Sequence, residues 1–295
     1  MILAKYPSAF VKVLPSNYAK ENLVEFEGEY WDLVEEQGAY YPRTPDDLVR
    51  FYPLVVKHVM KKHGIRDGVS VSLPTETYLR DIRNGSRMID EIKSRIKSET
   101  GIEKVVVLPQ GAVAIVKVFT DGELKPIGNT LVIDGGFNTV NVCLVNEKGD
   151  LLYAKSYYNE YGIRNLLEKY FYELITKSFN VPRNLQLLKK FFLTGYFVYG
   201  LEKVSLEAEK LEAVRRFIPD LINTVIQDLK VQGHFYDQFT ILGGLSYYIP
   251  RDAINTNLPF FIPQENGEFY TAMGMRLQSS LPAVDFGFGD VKVAL

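Results

Sequence analysis

Apolar positions along the first 130 residues alternate between two periods. Leu48 through Val59 repeat at helical spacing after Thr44-Pro45-Asp46-Asp47, a helix start, and the run stops at Gly64. Pro53 lies inside it and predicts a kink or a later start. Val69-Ser70-Val71-Ser72-Leu73 alternates with period two and breaks at Pro74, which predicts a strand. Met88, Ile89, Ile92 and Ile96 return to helical spacing up to Gly101, and Lys104 to Leu108 is a short β-branched run of the buried-strand type.

A second unit begins near Thr130. Leu131-Val132-Ile133 predicts a central strand and Val140 to Val145 its partner. Asn146-Glu147-Lys148-Gly149-Asp150 supplies a turn before a third strand, Leu151 to Lys155. Long helices are predicted from Gly162 to Phe179 and from Ser205 to Leu229, a buried strand over Phe239 to Leu242, and a further helix over Gly267 to Leu277. Ala283 to Leu295 reads as strand, glycine turn, strand. Helix and strand patterns alternate throughout, so the class is α/β.

Composition narrows the field. The 295 residues are 46% hydrophobic and 24% charged, as in a globular chain, with net charge −2 and a pI near 6.0. No bulk positive field draws such a chain onto nucleic acid, so any contact with DNA is expected through a separate adaptor protein. Cys143 is the single cysteine, which excludes an intrachain disulfide and suits a reducing interior. His58, His63 and His234 are scattered and form no zinc-type cluster. No apolar stretch reaches the length of a membrane span and the first fifteen residues lack a signal-peptide pattern, so a cytoplasmic location without membrane attachment is expected.

Three short segments carry candidate chemistry. In Leu131-Val-Ile-Asp134-Gly135-Gly136-Phe137-Asn138-Thr139-Val140, an apolar strand delivers a carboxylate to its end. The glycines then let backbone N–H groups approach an anion, and Asn138 and Thr139 add side-chain donors. An ordinary Asp-Gly hairpin turn is the plainer account. Ala283-Val-Asp285-Phe-Gly287-Phe-Gly289-Asp290-Val-Lys292-Val293 repeats the design and adds a lysine that returns beside the turn, where it can neutralise phosphate charge. Its alternative is a strand pair with a solvated lysine. In Phe239-Thr-Ile-Leu242-Gly243-Gly244-Leu245-Ser246, a buried strand ends in paired glycines, against which a flat ligand can lie.

Taken together these segments resemble the motifs of the actin, sugar-kinase and heat-shock-chaperone ATPase superfamily. Asp285-x-Gly287-x-Gly289-x-x-Lys292 resembles its phosphate-1 motif, Asp134-Gly-Gly136-x-x-Thr139 its phosphate-2 motif, and Leu242-Gly243-Gly244 its adenosine motif. Leu108-Pro109-Gln110-Gly111-Ala112-Val113-Ala114 is similar to the first connecting segment and Gly267-Glu-Phe-Tyr-Thr271-Ala272-Met-Gly274 to the second. Val71 to Tyr78 is similar to a segment of the ParM-type and archaeal actin-like proteins. One feature departs from the family, because phosphate 1 belongs near the N-terminus. Moving residues 281–295 ahead of Met1 restores the family order, so the resemblance implies a circular permutation.

The resemblance implies a duplicated, ribonuclease H-like α/β fold, with residues 1–128 plus 270–295 as domain I and 129–269 as domain II. It implies ATP, or GTP in its place, with Mg²⁺, bound between the two domains. Asp285 and Asp134 would hold the metal, mainly through its waters. Gly287, Gly289, Asp290, Lys292, Gly135, Gly136, Asn138 and Thr139 would hold phosphates. Gly243, Gly244, Leu245 and Ser246 would flank the nucleoside, with Gly162-Ile163-Arg164 as a further contributor to the base pocket. Gln110 would position the attacking water, being too weak a base to deprotonate it. The implied function is nucleoside triphosphate hydrolysis coupled to homopolymerisation into a cytoskeletal filament, for instance one that segregates a plasmid. A small-molecule kinase is the alternative, but no carboxylate base stands out for it. A non-polymerising ATP-binding scaffold is another, without a membrane-targeting helix to support it. Tyr40-Tyr41, Tyr157-Tyr158 and Tyr247-Tyr248 are candidates for subunit contacts or for core packing.

Overall fold

The computed structural model describes residues 1–14, 23–34, 39–158 and 160–295. It divides into two compact units, Met1–Gly122 with Phe269–Leu295, and Glu123–Glu268.

The first unit is built on a five-stranded sheet in the order Leu3–Pro7, Asp290–Ala294, Ala283–Phe286, Gly68–Pro74, Lys104–Gln110. The first three strands form an antiparallel meander, and Gly68–Pro74 and Lys104–Gln110 run parallel to Ala283–Phe286. The chain's last two strands therefore lie inside the sheet, while its first strand forms the outer arm of the meander. This unit also holds a small antiparallel sheet of Phe10–Lys12, Glu29–Leu33 and Val24–Phe26.

Helix Pro45–His63 covers the sheet with Leu48, Phe51, Tyr52, Leu54, Val55 and Val59, all buried. Its start is a capping box: Asp47 N–H donates to Thr44 Oγ1 (3.2 Å) and Thr44 N–H to Asp47 Oδ2 (3.0 Å). Gly64 ends it in the left-handed conformation at φ 69°. The helix starts at Pro45 and runs on through Pro53, so Pro53 does not delay it. The bond lost at Pro53 is outweighed by this continuous apolar face. Arg87–Thr100 is the second long helix of the unit, closed by Gly101.

The second unit has a five-stranded sheet in the order Phe260–Phe261, Gln238–Leu242, Thr130–Gly135, Thr139–Val145, Leu151–Tyr158. Thr130–Gly135, Thr139–Val145 and Leu151–Tyr158 form an antiparallel meander, and the other two strands run parallel to Thr130–Gly135. The arrangement is the one found in the first unit. Here, however, the meander follows chain order, whereas in the first unit its first two strands come from the C-terminus and its third from the N-terminus.

The helix predicted from Gly162 to Phe179 is segmented. Ile163–Asn165 and Tyr172–Thr176 are α, and Leu166–Phe171 between them is π. Leu166, Leu167, Tyr170 and Phe171 of this π segment are all buried. Glu207–Val231 is a single helix of 25 residues with Pro219 inside it. The helix predicted from Gly267 opens as a 3₁₀ turn, Gly267–Phe269, and becomes α over Tyr270–Ser279. Helices Thr75–Arg83, Ala114–Thr120 and Leu185–Thr194, and the hairpin of Tyr196–Tyr199 with Glu202–Ser205, are not foreshadowed by the pattern. Among the described residues no helix is long and apolar enough to cross a membrane.

Of the tyrosine pairs, Tyr157 and Tyr248 are core residues, while Tyr40, Tyr41, Tyr158 and Tyr247 are about two-fifths exposed.

Candidate functional site

In the first unit the strand Ala283–Phe286 carries Asp285 to within one residue of the Gly287 turn, and cross-strand pairing sets Asp285 opposite Lys292. Asp285 is buried, at 2% exposure. Its Oδ1 accepts from Ser72 Oγ at 2.7 Å and from Gln110 Nε2 at 2.9 Å. Both donors come from the parallel strands beside the hairpin, Ser72 from Gly68–Pro74 and Gln110 from the last residue of Lys104–Gln110. Burial raises the Asp285 pKa above the ordinary carboxylate value, opposed by the Lys292 charge and then by the two hydrogen bonds. The Tyr52 hydroxyl donates to Ser72 O and accepts from Ser72 N–H (3.1 Å), which holds the serine in place.

The turn itself is stitched by Gly287 N–H to Asp290 O (3.1 Å) and by Ser8 Oγ to Gly287 O (2.6 Å). A Cβ added to Gly287 would stand 3.5 Å from Gln110 Nε2 and 3.6 Å from Lys292 Nζ. The bare backbone of the turn thus lies beside both donors. Gly289 is exposed with open space around it, and Asp290 pairs with Lys5 at 3.1 Å on the surface.

In the second unit Asp134 occupies the equivalent place, on the first meander strand just before Gly135-Gly136. Its cross-strand partner is Asn141, where the first unit has Lys292. Asn141 Oδ1 accepts from Ser156 Oγ at 2.7 Å. Gly136 N–H donates to Thr139 O at 2.7 Å, closing a turn whose tip, Asn138, is exposed. Leu242 pairs with Asp134 across the parallel strands, so Gly243-Gly244-Leu245-Ser246 begins beside this turn.

The packing there is tight. A Cβ on Gly135 would meet Leu245 Cβ at 2.4 Å, and one on Gly243 would meet Asp134 Oδ1 at 2.4 Å. Gly243 also sits at φ 75°, ψ −170°, a region open essentially to glycine alone. Ser246 is buried, with its hydroxyl donating to Gly243 O at 2.8 Å. The start of helix Ile163–Asn165 docks on the same turn through Ile163 N–H to Gly136 O (3.2 Å) and Arg164 N–H to Phe137 O (3.0 Å). A pocket of about 280 Å³ opens there, lined by Phe137, Asn138, Tyr161, Arg164, Asn165 and Glu168.

The candidate residues therefore form two groups. Gln110, Asp285, Gly287 and Lys292 meet in the first unit, with Gly289 and Asp290 on the outer part of the same turn. Asp134, Gly135, Gly136, Asn138, Thr139, Gly243, Gly244, Leu245 and Ser246 gather in the second. No family model matches the sequence, and no curated protein matches it. Solved structures do match. Ta0583, an archaeal actin homologue, is similar over 93% of this chain and 92% of its own, at TM-score 0.69 and 16% identity. The chain has the actin-like fold. The same archaeal protein in complex with ADP matches at TM-score 0.63 and 15% identity, with the same coverage. The apo psk41 ParM protein matches at 0.59 and 11%, over 93% of this chain and 90% of that one. A ParM from Clostridium botulinum, solved as a 15-stranded filament, matches at 0.51 and 15%, over 93% and 92%.

Within this actin-like fold three neighbours of the candidate residues were not among the predicted site residues. Ser72 is one of two serines in an alternating strand, and only the parallel pairing of that strand reveals which carboxylate it serves. Ser8 reaches the turn only through the fold, since its bond to Gly287 spans 279 positions. Asn141 was readable, since it stands seven residues after Asp134 as Lys292 stands after Asp285.

Proposed function

We propose that this chain is a Mg²⁺-dependent ATPase, or GTPase, whose nucleotide state controls its assembly into a filament of identical subunits. The observation that carries the proposal is the repetition of one device. Two sheets of the same arrangement each carry an aspartate as the second-to-last residue of a meander strand, Asp285 in Ala283–Phe286 and Asp134 in Thr130–Gly135, with a glycine turn after it.

In this reading the amides and glycines of both turns, with Lys292, bind the phosphates of one nucleotide. Gly243 and Gly244 offer bare backbone to the nucleoside, and the pocket beside Phe137 and Arg164 gives the base room. The donor set fits Mg²⁺. Among the described residues no group of three or more His, Cys, Asp or Glu forms a metal cage, and Mg²⁺ characteristically uses one or two carboxylates, phosphate oxygens and retained waters. Asp285 and Asp134 would hold it, and its charge would offset that developing on the transferred phosphoryl group. Gln110, oriented by its bond to Asp285, positions the attacking water. The circular permutation is part of the same reading, with the Asp285 hairpin in the role of phosphate 1. So are a cytoplasmic setting, the division into two actin-like domains, and a DNA-binding adaptor that links the filament to a replicon.

Titration with a fluorescent ATP analogue, followed by light scattering after addition of ATP and Mg²⁺, tests the proposal. Saturable binding and a nucleotide-dependent rise in scattering are expected. A chain that binds neither ATP nor GTP at millimolar concentration contradicts it.

A further inference from the structure

Strand Lys104–Gln110 ends at the residue assigned to the attacking water, and the chain then turns at Gly111, whose φ is 81°. The aim of a side chain at a strand end depends on what holds the peptide that follows it. Here the Gln110–Gly111 peptide is held on both sides. Its carbonyl, Gln110 O, accepts from Thr75 Oγ1, and its N–H, on Gly111, donates to Thr271 Oγ1 at 3.2 Å. Thr75 and Thr271 are 1% and 3% exposed, so both bonds are shielded from competing water.

Each threonine arrives there by a different route. Pro74 pairs with Gln110 across the parallel strands, which sets Thr75, the first residue of helix Thr75–Arg83, just past the strand end beside Gln110. Thr271 lies in the first turn of helix Tyr270–Ser279, three residues before Gly274. A Cβ on Gly274 would meet Val113 O at 2.1 Å, so the bare glycine lets the helix lie directly on the backbone of Val113 and Ala114. Positions three apart share a helix face, and the same close approach brings Thr271 to Gly111.

The Gln110 side chain is fixed at a third point, since its Nε2 donates to Asp285 Oδ1 at 2.9 Å. An amide whose NH₂ is engaged in this way presents its oxygen, Oε1, as the acceptor for a water O–H. A buried C=O and N–H need partners in any fold. What singles this peptide out is that both have side-chain partners, from two different helices, at the one peptide that aims Gln110.

We propose that Thr75 and Thr271 are positioning residues for hydrolysis: by clamping the Gln110–Gly111 peptide they set the direction in which Gln110 holds the attacking water. This inference rests on the role given to Gln110 above and adds the residues on which its alignment depends. Both act through Gln110, so removing either hydroxyl should slow turnover and leave nucleotide affinity in place.

The test uses full-length Thr75→Val and Thr271→Val, which keep the shape and lose the hydroxyl, with Thr75→Ser and Thr271→Ser, which retain it. Phosphate release gives kcat, a fluorescent ATP analogue gives affinity, and circular dichroism melts check the fold. Each valine chain is expected to lose about 10- to 100-fold in kcat, with affinity within about threefold of wild type, and each serine chain to recover most of the rate. In a Gln110→Ala chain the valine substitutions should have no further effect on kcat, because the side chain they aim is gone. Hydrogen exchange followed by NMR on the nucleotide-free protein reads the clamp directly. The Gly111 amide should exchange about tenfold faster or more in Thr271→Val than in wild type. Valine chains with wild-type kcat, serine chains as slow as the valine ones, an equal loss in the Gln110→Ala background, or an unchanged Gly111 exchange rate would each overturn the positioning role. A wild type that hydrolyses neither ATP nor GTP defeats the proposed function and the positioning role together, so wild type alone tells the two failures apart.

Discussion

Asp285→Asn isolates the buried charge in the first hairpin. The wild-type carboxylate is 2% exposed, and its burial raises the pKa more than Lys292, Ser72 and Gln110 lower it. A carboxyl group whose pKa is higher folded than unfolded binds more protons in the folded state between those two values. Stability therefore falls as pH rises through that window, by at most about 1.4 kcal/mol per pH unit for one group, and is level above it. Asparagine keeps the shape and an oxygen for Ser72 Oγ and Gln110 Nε2. Two hydrogen bonds to a charged acceptor become neutral ones, each about 1 kcal/mol weaker, while the desolvation cost of the charge disappears. Because the pKa displacement is upward, removal of the charge wins, and the nucleotide-free variant should be more stable than wild type at pH 7. The assay is urea unfolding from pH 4 to 8, followed by the fluorescence of Trp31, the chain's single tryptophan, which is buried in the same unit. Subtracting the two stability curves cancels every other titrating group. A variant less stable than wild type at pH 7, or a difference independent of pH, would refute the reasoning. In the proposed function the same substitution abolishes hydrolysis, so stability and activity should move in opposite directions.

Asp134→Ala should lower Mg²⁺-dependent ATP turnover by about 100-fold or more, measured as phosphate release; unchanged turnover removes Asp134 from the site. Gln110→Ala should slow turnover by about 100-fold while nucleotide affinity changes by less than about threefold, since water positioning matters in the transition state; an equal loss in affinity makes Gln110 structural. Gly243→Ala should destabilise the second unit by about 2–5 kcal/mol, combining a backbone conformation that side chains resist with a clash at Asp134; near-wild-type thermal stability by near-UV circular dichroism contradicts this. His58 is buried with Nε2 lacking a hydrogen-bond partner, and burial lowers its pKa to about 4. A base depressed in the folded state costs stability as pH falls from its unfolded value near 6.5 towards 4, so His58→Leu should flatten the acid side of the stability profile; an unchanged acid limb counts against the buried neutral histidine.

Some of this protein was legible without coordinates because the signals are local. The Thr44-Pro45-Asp46-Asp47 capping box, the left-handed stops at Gly64 and Gly101, and the Asp-Gly turns act within four or five residues, so neighbouring sequence suffices to place them. The period of apolar residues told strand from helix wherever one face is buried. The actin-like fold was legible for a different reason: the aspartate–glycine hairpins that suggested it are spelled out by consecutive residues.

Tertiary structure decided what depends on distant partners. Pro53 reads as a breaker until the face of Pro45–His63 has a sheet to cover, and burial then outweighs one lost hydrogen bond. The π turn at Leu166–Phe171 left no mark on the helical period, because its buried residues sit at spacings an α-helix would also bring to one face. Ser72 and Ser8 join the Asp285 hairpin across more than 200 positions, through strand pairings that no local pattern encodes. The exposure of Val198, Leu201, Val231 and Phe235 was likewise invisible, since an apolar residue in sequence looks the same whether the fold covers it or leaves it to water.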